Sequence, residues 1–150
     1  MTPLLSTRHP WQLHFGETPL PPTLPRDFDV VRVSMGLGMS AVDAMIDTGQ
    51  DVGPLLCCIT HRMLLIPVES GTAGLWGAAH SACSSGSALQ CVMHGYQPPC
   101  RNRFWVAPPG PLAAPTSAPA VLHETLSLMR ARMRFARRPL SARAREVCHV

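Results

Sequence analysis

The run Phe28-Asp29-Val30-Val31-Arg32-Val33 holds three β-branched residues in four positions. Two heavy atoms on Cβ stiffen such side chains and suit them to a pleated surface, so the run predicts a strand. It also carries an arginine in the middle of that strand. Side chains two apart on a strand share a face, so Arg32 projects with Ser34. Whatever the chain folds into contains a strand with a cation at this place.

The rest of the chain alternates the same strand signal with helical ones. Ser40 is placed to N-cap a short helix whose apolar positions are Ala41, Val42, Met45 and Ile46, and Gly49 to end it in a left-handed cap. After Gly53-Pro54, residues 55–59 and 63–68 read as a strand pair turned at Thr60-His61-Arg62. Residues 70–77 read as a turn and one helical turn that docks Trp76, and residues 78–87 as a loop. Two further strands follow, Ala88 to Met93 and Arg103 to Ala107, the second stopped by Pro108-Pro109-Gly110-Pro111. The clearest element is the last. Leu122, Leu126, Met129, Met133 and Ala136 fall on one helical face, bounded by Pro119 and Pro139. This order predicts an α+β (split α/β) domain, a small mixed β-sheet covered by a short helix and a long C-terminal helix.

The domain is expected over residues 27–138. Residues 1–26, with Pro19, Pro21, Pro22 and Pro25, read as an irregular N-terminal arm, and residues 139–150 as a basic tail. A length of 150 residues and a hydrophobic fraction of 46% fit one modest core, with 5% aromatic content leaving it built largely of small side chains. No apolar run approaches the roughly 18–20 residues that span a bilayer, and the N-terminus lacks a basic segment followed by a long apolar one. The expectation is a cytoplasmic protein with no membrane association. In that compartment the six Cys stay reduced.

Charge is distributed unevenly. All 13 basic residues are Arg, which reflects coding bias in the first instance. From residue 130 onward seven Arg stand against one acid, Glu146, a net +6; the rest of the chain has six Arg and eight acids, a net −2. Attraction to a polyanion therefore concentrates at the C-terminal end. Arg130, Arg134, Arg137 and Arg138 form a stripe beside the apolar face of the last helix, continued by Arg143 and Arg145. A solvated face that complements the helix macrodipole is the simpler explanation of such a stripe. As a nucleic-acid surface it would be indifferent to sequence and strongly salt-dependent.

Several signals occur in a recognisable succession. An FDVV-type strand is followed by a short helix, the Gly53-Pro54 step, an Arg62-to-Ile66 strand and the turn Gly71-Thr72-Ala73. Then come a Trp, a Cys-containing loop, and Trp105-Val106-Ala107-Pro108-Pro109 before the closing helix. In this order the chain resembles the N-terminal domain of bacterial bifunctional DNA primase/polymerases over residues 27–136, as a degenerate stand-alone member. The resemblance implies an archaeo-eukaryotic primase-like fold, with DNA and nucleotide handling in the wider family.

It also locates what this chain lacks. Nucleotidyl transfer uses divalent ions held by carboxylates alternating on one strand face, with a nearby histidine. The matching positions are Arg32, Ser34 and Met63, none of which holds Mg²⁺. No catalytic residue is therefore assigned, no cofactor is expected, and the chain reads as a pseudoenzyme acting as a DNA-associated or protein-interaction module. One alternative is an active nucleotidyltransferase with displaced ligands such as Asp29 and Glu69. Asp27 and Asp29 have the right spacing at the wrong end of the strand, and read more simply as solvated residues leading into it.

The other alternative is a small zinc-binding structural protein. His80-x2-Cys83 and Cys91-x2-His94, with Cys100 beyond, offer a ligand mix that tetrahedral Zn²⁺ favours. Buried thiols and exposed imidazoles are the simpler reading. Cys57-Cys58 sits in an apolar strand, where thiols act as small hydrophobes. Asp43 and Asp47, like His123 and Glu124, read as solvated helix surface. No Walker A loop and no nucleophile elbow is present.

Overall fold

The structure, a computed structural model, describes residues 9–87, 89–91, 100–108 and 114–136. Six strands form one sheet: β1 (Gln12–Phe15), β2 (Asp29–Ser34), β3 (Leu55–Cys58), β4 (Met63–Val68), β5 (Ala82–Ser84) and β6 (Arg103–Ala107). Their spatial order is β1-β6-β3-β4-β2-β5. Two helices complete the fold, α1 (Met35–Asp47) and α2 (Pro119–Ala136), with one 3₁₀ turn at Thr72–Leu75. The α+β class read from the sequence is the class observed, a sheet covered by a short helix and a long C-terminal one.

Strand direction is sharper than expected. All five strand ladders are antiparallel, and parallel pairing is confined to isolated bridges at Gly16–Phe104 and Val68–Ser117. The split character is nonetheless present. β2 and β3 run in the same direction, α1 connects them, and β4 returns antiparallel to lie between them.

The sheet buries both faces at its centre, which is why β3 and β4 are continuous apolar runs instead of alternating ones. On one face Val31, Val33, Leu55, Cys57, Leu64, Ile66 and Val106 meet apolar residues of α1 together with Leu122 and Leu126 of α2. On the other, Phe28, Val30, Leu56, Cys58, Leu65, Cys91 and Trp105 pack with Leu24, Leu89 and Cys100. The chain after β1 belongs to this second layer. Its Glu17 carbonyl accepts the Trp105 indole N–H at 2.8 Å, and its carboxylate meets Arg103 at 2.8 Å.

Four local expectations are revised. Residues 12–15 of the supposedly irregular arm form β1, which pairs with β6 from Gln12–Ala107 to Phe15–Phe104. The expected loop at 78–87 contains β5, which extends the β2 edge. The α1 helix begins directly after Ser34, and Ser40 lies inside it with its hydroxyl bonded to the Gly36 carbonyl. Residues 89–91 are not strand; Ala88, Val92 and Met93, the rest of that predicted strand, lie outside the described residues. Gly49 does end α1 with φ 72°, and its N–H bonds to the Ile46 carbonyl.

Candidate functional site

Alternation along β2 sorts its polar residues onto opposite faces of the sheet. Arg32 shares a face with Val30 and Ser34, away from the helices, and it is 6% exposed. Its guanidinium donates to Ser84 Oγ at 2.6 Å across the β2–β5 ladder. Met63 stands opposite Ser34 in register. The three positions at which the resemblance predicts metal ligands therefore do adjoin one another. They present a buried cation, a hydroxyl at the helix start and a thioether.

Asp29 cannot substitute for them from where it stands. An odd number of residues from Arg32, it projects to the helix side of the sheet, and it is buried, not solvated as expected. Its Oδ2 accepts the Gly71 and Ala73 backbone N–H groups at 3.0 and 2.8 Å, which folds the Gly71-Thr72-Ala73 turn onto the strand. Asp27 and Glu69 are exposed. Among the described residues, no group of three or more potential metal ligands includes Asp27, Asp29 or Glu69.

Cys83 faces the helix side, where burial and then the Asp29 charge push its thiol up to about 11 against an opposing pull from Arg32. Cys57 is pushed up to about 12 by burial and by Cys58. Both thiols are thus held in the unreactive protonated form at neutral pH.

The basic face is partly described. Arg130 and Arg134 lie one turn apart on α2 and line a shared cleft with His80, Ser127 and Phe135. Arg137, Arg138, Arg143 and Arg145 lie outside the described residues. Neither His80 nor Cys83 joins a group of three or more potential metal ligands among the described residues. His80 Nε2 lies 3.0 Å from Ser127 Oγ and its ring packs edge-on to His123, which in turn packs edge-on to Trp76. Burial, His123 and Arg130 each lower the His80 pKa, so its imidazole is neutral at neutral pH. His123, expected at the surface, is half-buried and contacts the Gly77 carbonyl at 3.1 Å. Asp43 is likewise buried, and it and Asp47 approach His9 Nε2 at 3.7 and 2.8 Å.

The second sheet face gathers a different set. Cys58 ends β3, and the four-residue turn to β4, with Arg62 at φ 52°, folds His61 back over it. Cys91 and Cys100 approach from the chain leading to β6. The ligand atoms of Cys58, His61, Cys91 and Cys100 all lie within 4.8 Å of one another. His61 Nδ1 is 3.4 Å from Cys58 Sγ and 3.3 Å from Cys100 Sγ, and the Cys91 and Cys100 sulfurs are 3.5 Å apart. His61 Nε2 is buried and has no hydrogen-bond partner among the described residues, so the ring's polar contacts are all on its Nδ1 side.

Arg103 Nη1 lies 3.8 Å from Cys100 Sγ. Burial alone would raise the Cys100 pKa, but hydrogen bonds with Cys91, Arg103 and Cys58 outweigh it and lower the value. Burial and the Cys100 and Cys58 contacts raise that of Cys91. Of the zinc pattern read from the sequence, Cys91 and Cys100 are brought together, His80 and Cys83 are elsewhere, and His94 lies outside the described residues. Cys58 and His61 were missed, although their spacing of two intervening residues was a visible signal.

No protein-family model matches the chain, and neither does any curated protein or solved structure compared with it. Among the described residues no helix is long and apolar enough to cross a membrane.

Proposed function

We propose that the chain is a catalytically inactive primase/polymerase-like domain that works as a DNA-associated or protein-interaction module. The observation that carries the first half of this reading is Arg32. A buried guanidinium hydrogen-bonded to Ser84 fills the place where two-metal chemistry needs a carboxylate, and a fixed cation there repels divalent ions. Asp29, the other charged residue of β2, is on the opposite face and engaged by two backbone donors. Primer extension with Mg²⁺ or Mn²⁺ tests the reading, and no product is expected. Extension that disappears on Asp29→Ala would overturn it in favour of an active enzyme with displaced ligands.

The DNA-associated version draws its support from α2. Arg130, half-buried, and Arg134, exposed, lie one turn apart on one face, Arg132 is exposed farther round the helix, and Phe135 presents an exposed ring next to Arg134. Phosphates attract such a stripe without regard to sequence. Fluorescence anisotropy with short duplex and single-stranded DNA over a salt series is the measurement. Absence of binding at low salt, or binding unchanged after truncation at Arg130, would leave protein interaction as the module's role.

A further inference from the structure

We infer that Cys58, His61, Cys91 and Cys100 form a structural Zn²⁺ site that clamps the β3–β4 turn to the chain entering β6. The donor set is three sulfurs and one imidazole nitrogen, a combination that structural zinc takes in tetrahedral geometry. Zn–S bonds of about 2.3 Å and Zn–N bonds of about 2.0–2.1 Å place ligand atoms roughly 3.5–3.8 Å apart around the metal. The separations of 3.3, 3.4 and 3.5 Å between these donors are already of that size. The remaining separations are within 4.8 Å, so closing the tetrahedron takes movements of at most about an ångström.

Local structure converges on the same point. Strand alternation turns Cys58 to this face and Cys57 to the other, so the adjacent thiols have separate surroundings. The turn brings His61 back with Nδ1 between two sulfurs. Cys91 and Cys100 supply the other pair, one from each end of residues 92–99. With four protein donors the coordination shell is closed, which is the arrangement of a structural and not a catalytic zinc.

Binding Zn²⁺ converts three thiols to thiolates and releases their three protons to solvent, and His61 binds as neutral imidazole. The centre then carries one net negative charge. Arg103, which also pairs with Glu17, lies against the centre, with Nη1 3.8 Å from Cys100 Sγ and Nη2 donating to the Leu89 carbonyl at 2.7 Å. The role of the metal follows from its position. Cys58 pairs with Met63 on β4 and with Arg103 on β6, and Met63 pairs with Ser34 on β2. The site closes the end of a row that crosses four strands and ends beside Arg32.

Metal analysis of the full chain, purified under reducing conditions without chelator, is expected to give about one zinc per chain. Cys83→Ala, a thiol outside the cluster, keeps that stoichiometry; Cys100→Ala and His61→Ala lose most of it. Unmodified protein exchanged with Co²⁺ gives the visible bands of tetrahedral cobalt with sulfur-to-metal charge transfer, a readout that needs no variant to fold. Less than about half an equivalent of zinc in the unmodified protein, or cobalt spectra of an octahedral, sulfur-free ion, overturns the inference. So does a thiol count two short of six with a Cys91–Cys100 disulfide on peptide mapping, because that pair would then be oxidised and not ligating.

Discussion

Arg32 and Ser84 meet diagonally across the β2–β5 ladder, two residues out of register, through a hydrogen bond of 2.6 Å from Nη1 to Oγ. An arginine 6% exposed and flanked by Val30 and Leu65 depends on such a partner, since an unmatched buried cation is far costlier than a matched one. Ser84→Ala is therefore expected to destabilise the fold by about 1–3 kcal/mol. Arg32→Met together with Ser84→Ala should lose less than the two single changes added, because the apolar side chain has no donor to strand. Denaturant unfolding of the four proteins measures the coupling. Strict additivity would mean that the Arg32 charge is matched elsewhere.

The close approach of Gly53 to Thr116 yields a second prediction. A Cβ at residue 53 would lie 2.7–2.9 Å from Thr116 backbone atoms, which cannot swing away as a side-chain tip can. The Gly53 N–H also bonds to Ser117 Oγ at 3.1 Å, so the Gly53-Pro54 step ties β3 to the segment that leads into α2. Gly53→Ala is expected to destabilise by about 1–3 kcal/mol through overpacking. Gly36, exposed in the first turn of α1 with nothing within 4 Å of its virtual Cβ, is the matched control. Gly36→Ala should stabilise by about 0.5–1 kcal/mol through helix propensity. Thermal melts of the two variants should move in opposite directions.

What the sequence disclosed and what it concealed divide along physical lines. β2, β3, β4, β6 and α2 announce themselves because each buries an apolar face, and burial imposes a pattern. β1 and β5 impose none. Gln12–Phe15 is exposed throughout and exists only because β6, about ninety residues away in sequence, offers it an edge. Ala82–Ser84 is three small residues on the opposite edge. The true start of α1 was obscured by Gly36 and Gly38, which look like loop residues. Gly38 is instead a packing glycine, its virtual Cβ 2.6 Å from Leu64 and 2.8 Å from Val33. The Cys–His cluster was half legible. Cys91 and Cys100 carried the signal in their spacing, but Cys58 was hidden by its apolar neighbours, and only strand alternation separates it from Cys57.

His80 gives the stability a pH dependence of determined sign. Burial, His123 and Arg130 hold its pKa below the ordinary 6.5. Between the folded value and 6.5 the unfolded chain binds more protons than the folded one, so stability rises with pH across that window. The His80 contribution is complete above about 6.5 and is lost as pH falls from there through the folded value. His80→Gln keeps a neutral polar side chain near Ser127 and should flatten this part of the profile. Melting temperatures of both proteins at pH 7.5 and 5.5 test it. An equal drop in the two would assign the acid sensitivity to other groups.

The arginine stripe of α2 makes the last prediction, and salt is its most direct probe. Each arginine that neutralises a phosphate releases condensed counterions, so the slope of log affinity against log salt counts contacts at about 0.7 per phosphate on single strands and 0.9 on duplex. Arg130→Ala with Arg134→Ala removes two cations that lie one turn apart on one face of the helix without touching Leu122 or Leu126, which anchor it to the core. Low-salt binding should weaken to a similar degree for unrelated DNA sequences, and the slope should fall by about one for each arginine that contacts a phosphate. Arg26→Ala, at an exposed position just before β2, should leave both quantities unchanged. A loss confined to particular DNA sequences, or an unchanged slope with weaker binding, would show that the helix acts through shape or base contacts and not through the charge that the sequence concentrates there.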